Sequence, residues 1–239
     1  MTLGAIPGRY VETRGALHQL AFFALGPARY KAVGRMGLRA TPGGFGTPEF
    51  EGRVARVDGD VLVHEQGGNV ATQRITTITA AAEFFGHEYE VDWFEGFHDP
   101  LQPADPDTPL IVDDTSARAI GDWFEFAFDV LNRLRGHGTD DDQVSEVQLW
   151  PEHFDPATEM GNEAMGQRAS FGASPGDAGH LEPYLYVAAW GEVDRSHSYW
   201  NGQGFNGASL GYATLLVADD PARTALDFLL EGYRILHGG

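Results

Sequence analysis

Cysteine is absent from this 239-residue chain. That removes disulfides, thiolate-bound zinc, iron–sulfur clusters and thiol nucleophiles, so any nucleophile is an oxygen, a nitrogen or a water. Positive charge is scarce as well. Sixteen Lys and Arg face 35 Asp and Glu, giving a net charge of −19, and Lys31 is the single lysine. Phosphate recognition depends on Lys and Arg neutralising the anion, so the expected partners include no nucleic acid and no anionic membrane surface. No window approaches the ~20 apolar residues that span a bilayer. The N-terminal MTLGAIPGRYVETRG lacks the basic flank and apolar run of a secretory leader. These absences describe a soluble, cytoplasmic protein.

What is present is acidic and unevenly spread. Residues 1–82 carry nine basic and six acidic side chains, whereas 83–239 carry seven and twenty-nine. Arg29, Lys31, Arg35 and Arg39 form the densest basic run, which reads as a solvated face balanced by the acidic remainder. The length suits one large domain or two small ones, and a chain of this size buries most of its apolar surface on folding.

Hydrophobic periodicity orders the elements. TRGALHQLAFFAL (13–25) places Leu17, Leu20, Ala21 and Ala24 on one helical face, with Gly26-Pro27 as the expected stop. RVARVDGDVLVHE predicts a hairpin turning at Asp58-Gly59, and VATQRITTIT predicts a further strand. A short helix is expected from Thr79 as its cap, then a strand over YEVDWF, where Tyr89, Val91 and Trp93 alternate with acids. Pro100, Pro103, Pro106 and Pro109 make 96–112 an irregular loop. DDTSARAIGDWFEFAFDVLNRLRG predicts a long amphipathic helix with charges matched to its dipole, and GHGTDDDQ a solvated break. VSEVQLW, RASFGAS, EPYLYVAAW and GASLGYATLLV read as four strands, and Pro221 opens a last helix. Runs of strands flanked by helices favour an α+β fold with mainly antiparallel sheet and about four helices. The chain reads as one compact domain, with halves 1–95 and 113–239 that repeat the same helix–strands–helix order.

Two clusters carry candidate chemistry. In LWPEHFDPATEMG, Pro151 ends a strand and leaves His153 and Asp155 at its exit, on one side if the chain stays extended. In FGASPGDAGHLEPYLYV, Ser174-Pro175-Gly176-Asp177 is a turn signature, with Glu182 shortly after. His153, Asp155, Asp177 and Glu182 form a candidate ligand-binding set. The carboxylates Asp155, Asp177 and Glu182 offer oxygen donors of the kind Ca, Mg or Mn accepts. No ligand spacing such as HExxH or an EF-hand loop accompanies them, which favours the structural reading, in which Asp155 and Asp177 cap turns and His153 bonds to backbone. Gly202 to Gly207 matches GxGxxG but precedes a strand where a dinucleotide site requires a helix. Tyr199, Trp200, Phe205 and Tyr212 read either as a stacking surface or as cross-strand packing.

On the segments LHQLAFFALGPARYKAVGRMGLRATPGGFGTP, VDGDVLVHE, LWPEHFDPATEMG, FGASPGD and EPYLYV, roughly 15–190, the chain resembles a large bacterial family catalogued only as a domain of unknown function. It departs from the pattern where members carry more Trp and His in the first half. The resemblance implies one compact domain built across both halves and no particular reaction. Three functional expectations follow: binding of a small polar ligand or divalent cation where 150–155 meets 174–182; metal-assisted hydrolysis by the same residues with a bound water as nucleophile; or a non-catalytic interaction or homo-oligomerisation module using loop 95–112 and an exposed sheet edge.

Overall fold

The fold is taken from a computed structural model that describes residues 3–97 and 101–238. Two five-stranded antiparallel sheets carry it, each a simple meander in chain order, β1-β2-β3-β4-β5 and β6-β7-β8-β9-β10. The protein is thus α+β, and each sheet is preceded and followed by helix. Contacts group the chain into two compact units. An N-terminal unit comprises Ile6–Glu125 with Leu149–Phe154, and a C-terminal unit comprises Met1–Ala5, Phe126–Gln148 and Asp155–Gly239. No helix of the described residues is long and apolar enough to cross a membrane.

The N-terminal unit begins with α1 (Tyr10–Leu20), a π-helical turn (Ala21–Leu25) and α2 (Gly26–Val33) in one continuous run. Gly26-Pro27 was expected to stop this helix and does not. Pro27 falls in the first turn of α2, where its missing N–H leaves no bond unmade, and the wide π turn before it absorbs the change of register. Of the basic run, Lys31, Arg35 and Arg39 are exposed as expected, Lys31 pairing with Glu90 at 2.9 Å, whereas Arg29 is 9% exposed and donates to the Gly37 carbonyl.

Strands β1 (Arg39–Thr41), β2 (Gly44–Gly46), β3 (Arg53–Asp58), β4 (Val61–Gln66) and β5 (Asn69–Arg74) follow. Asp58 pairs with Val61 across the expected tight turn, which Gly59 makes with φ +58°, a backbone a side chain disfavours. Helix α3 (Ile78–Phe84) is capped by Thr77, whose hydroxyl accepts from the Ala80 amide at 3.1 Å, two residues before the expected cap. YEVDWF forms no strand. Trp93 is buried against Phe22 and Tyr30, and Tyr89 lies on Phe23, so aromatic packing outweighs the period-two pattern.

Helix α4 (Asp114–Arg135) matches its expected span, its residues assigned to the N-terminal unit up to Glu125 and to the C-terminal unit from Phe126. Strand β6 (Gln148–Trp150) has Gln148 in the C-terminal unit and Leu149–Trp150 in the N-terminal one; β7 (Asp155–Met160), in the C-terminal unit, follows it. Pro156 is tolerated because the β7–β8 pairing begins one residue later, at Ala157. Strands β8 (Ala169–Ser174), β9 (Tyr184–Ala189) and β10 (Gly207–Gly211) complete the sheet. The chain then turns into α5 (Tyr212–Leu216) rather than extending the strand, and α6 (Pro221–Leu236) ends it, capped by Asp220. One face of this sheet buries Thr158, Met160, Phe171, Ala173, Leu185, Val187 and Ala208, with α6 against β9 and β10. The opposite face carries the polar alternates, among them Asp155 of β7 and Tyr184 and Tyr186 of β9.

GHGTDDDQ, expected to be a solvated break, instead forms a 3₁₀ turn (Asp140–Asp142) with one acid turned inward. Asp142 is 2% exposed and accepts from Thr139 N, Thr139 Oγ1, Tyr233 Oη and His237 Nε2. Loop and last helix are thereby tied together within one unit.

Candidate functional site

Strand β6 ends at Trp150, as Pro151 predicted, but the chain does not stay extended beyond it. Leu149 pairs its backbone with Leu38 in both directions, and Pro151 to Phe154 form a turn closed by Phe154 N–H donating to the Trp150 carbonyl at 2.7 Å. Phe154 takes a left-handed φ of +56°, uncommon for a bulky side chain. That conformation puts its ring in the core of the N-terminal unit, edge-on to Phe45 and Phe124 at 5.1 Å and stacked on His18 at 5.3 Å. His18 bonds through Nε2 to the Glu152 carbonyl at 3.0 Å. Burial lowers the pKa of His18 to about 4, against the opposing pull of the Glu152 and Pro151 carbonyls, so the ring is neutral at pH 7. His153 is exposed in this same unit, with Nε2 3.4 Å from Glu152 Oε1.

In the C-terminal unit two of the expected acids belong to one row of side chains. Strand alternation puts Tyr184 and Tyr186 on the same face of β9. Tyr186 donates to Asp155 Oδ2 at 2.5 Å, Tyr184 donates to Asp177 Oδ2 at 2.6 Å, and the two rings are 6.3 Å apart. The order Asp155, Tyr186, Tyr184, Asp177 leads from a carboxylate 6% exposed to one whose side chain is 44% exposed. Gly172 makes the row sterically feasible. It faces Tyr186 across the β8–β9 ladder, and a Cβ there would lie 2.3 Å from the phenol.

Asp177 is also the organiser of its loop. Its Oδ1 accepts from the amides of Gly179 at 2.6 Å and His180 at 2.8 Å, and its own amide donates to the His180 carbonyl. The His180 ring packs on Tyr184 at 4.7 Å with Nδ1 3.4 Å from the same Oδ1. Burial works to raise the Asp177 pKa, but the hydrogen bonds from Tyr184, His180 and Gly179 outweigh it, and the carboxyl is held below the usual range. Both phenols are shifted upward, by burial first and then by their aspartates, and so remain protonated donors. Glu182 is exposed in the turn before β9.

Among the described residues, no group of three or more His, Asp or Glu side chains is arranged to hold a metal ion. Two amide hydrogens on Oδ1 and the Tyr184 phenol on Oδ2 occupy three of the about four lone-pair positions of the Asp177 carboxylate, which leaves room for one further donor but not for a chelated cation. The aromatic stretch from Tyr199 to Tyr212 is largely packing: Tyr199 lies on Phe228 at 5.3 Å and donates to its carbonyl, and Trp200 is buried.

Sequence reasoning placed the two aspartates but missed the tyrosines that hold them. The signal was present in EPYLYV, since a Tyr-x-Tyr pair in a strand shares one face. Asp142 was missed because three consecutive acids read as a solvated run. Comparison with protein-family models, with curated proteins and with solved structures finds no match.

Proposed function

We propose that the protein binds a small polar ligand at the solvent end of the Asp155–Tyr186–Tyr184–Asp177 row. The observation that carries this reading is the pair of short phenol–carboxylate hydrogen bonds aligned along one strand. Hydrogen bonds between buried polar groups restrict their motion and hold the outermost groups of such a row in fixed directions. Here the outermost groups are the Asp177 carboxylate and the His180 imidazole, both more than two-fifths exposed. A ligand bearing neighbouring hydroxyl or amine groups would donate to the carboxylate and exchange hydrogen bonds with the imidazole. Tyr184 would fix the angle between them.

The test is a chemical-shift titration of the whole chain with glycerol, glucose, free arginine, inorganic phosphate and calcium chloride. The reading expects one or more of these probes to move the amide signals of Asp177 to Tyr186, with saturation lost in Asp177→Asn and weakened in Tyr184→Phe. A panel that leaves this segment unmoved, or moves it equally in both variants, overturns it.

A further inference from the structure

A cavity of about 440 Å³ opens in the N-terminal unit, independent of the row in the other unit. Its walls are Phe22, Phe94, Phe97 and Leu101, with Asp92 and Glu95 beside them. We propose that this cavity binds an organic cation with an alkylated ammonium head group.

The sequence builds it by interleaving. Across 89–97, YEVDWFEGF alternates aromatic and acidic residues, and the lack of a strand frees successive rings to gather instead of pointing to opposite sides. Phe97 lies 4.7 Å from both Phe22 and Phe94, and Trp93 is 5.3 Å from Phe97 and 5.6 Å from Phe22. All four contacts are edge-on or tilted, so the rings gather at different angles rather than stacking in parallel. A ring face carries negative electrostatic potential and attracts a cation, most strongly where water is excluded. Phe22 belongs to the π-helical turn and is 1% exposed, so its position is fixed by the core behind it.

Charge points the same way. Glu90 has its cation in Lys31 at 2.9 Å. Asp92 and Glu95, one on each side of Trp93-Phe94, have no Lys, Arg or His within salt-bridge distance among the described residues, and both are exposed. Two carboxylates without a cationic partner among the described residues, at the wall of an aromatic cavity, disfavour an anion and gain from a monovalent cation. The volume is within the range of about 300–1,000 Å³ typical of small-molecule sites. A small bare cation such as sodium is strongly hydrated and keeps its water in preference to ring faces. An alkylated ammonium is weakly hydrated, and both of its demands, apolar contact and negative potential, are met here.

Calorimetric titration of the whole chain tests this with choline, with benzyltrimethylammonium, and with the neutral isostere of choline in which a tert-butyl group replaces trimethylammonium. The cations are expected to bind at least about tenfold more tightly than the isostere, the ratio corresponding to a cation–ring attraction of moderate strength. Phe97→Leu keeps apolar bulk and should weaken choline about tenfold while leaving the isostere unchanged. Asp92→Asn with Glu95→Gln, at exposed positions that do not endanger folding, should weaken choline severalfold and flatten its salt dependence. Equal binding of choline and its isostere, or binding of neither cation, overturns the proposal.

Discussion

Replacing Asp142 by Asn should remove a defined, pH-dependent part of the stability of the C-terminal unit. The carboxyl is 2% exposed, and burial alone would raise its pKa; hydrogen bonds from Thr139 N, Tyr233, His237 and the Thr139 hydroxyl overcome that and bring it from 3.8 to about 2. Because the folded pKa lies below the unfolded one, the unfolded chain binds the proton first on acidification. The contribution is therefore complete above about pH 4 and disappears as pH falls through about 2. A displacement of this size corresponds to about 2 kcal/mol at neutral pH. Asn keeps the shape but offers one acceptor where the site supplies four donors, so some amide and hydroxyl hydrogens lose their partner, each at about 1–3 kcal/mol. Urea unfolding of wild type and Asp142→Asn at several pH values between 2 and 7 measures the effect. The two midpoints should be well apart at pH 6 and converge toward pH 2. A separation that stays constant over this range would refute the argument, because it would show that the loss is steric and independent of the charge.

Three other outcomes follow from the same structure. His18, with a pKa brought down to about 4 by burial, should make the N-terminal unit lose stability as pH falls from 6.5 to 4, and His18→Gln should flatten that slope in hydrogen exchange of the β3 and β4 amides. Gly172→Ala should destabilise the C-terminal unit by about 1–3 kcal/mol through overlap with the Tyr186 phenol, read as a lower denaturation midpoint. Phe154→Ala should cost about 3–5 kcal/mol, since it deletes a fully buried ring with three aromatic neighbours; a midpoint close to wild type would contradict that packing.

Legibility of the sequence depended on how local the deciding interaction is. The long helix over 114–135 and the Asp58-Gly59 hairpin were readable because periodicity and turn chemistry act within a few residues. YEVDWF misled because its alternation is genuine, but no neighbouring strand is available to pair with it, and Phe22 and Phe23 offer ring contacts from a distant part of the chain. Gly26-Pro27 misled because a π turn is not signalled by composition. In the candidate site, Asp155 and Asp177 could be picked out as acids near turns. Their pairing with Tyr186 and Tyr184 depends on the sheet register, in which Gly172 stands opposite Tyr186, and register is not encoded in any one segment.

The most distinctive stretch of the chain proves to be a boundary. Leu149–Phe154 group with the N-terminal unit and the residues from Asp155 with the C-terminal one. The change of role is made within a single peptide link: Phe154, in its left-handed conformation, sends its ring into one aromatic core, and Asp155 opens a strand that meets Tyr186. His153 and Asp155, two residues apart and both polar, were grouped by sequence on the premise that the chain stays extended between them. A left-handed residue between two positions cancels that premise, because the period of two holds only for extended backbone. The chemistry of LWPEHFD is therefore divided, its histidine going with the turn that anchors Phe154 and its aspartate with the tyrosine row.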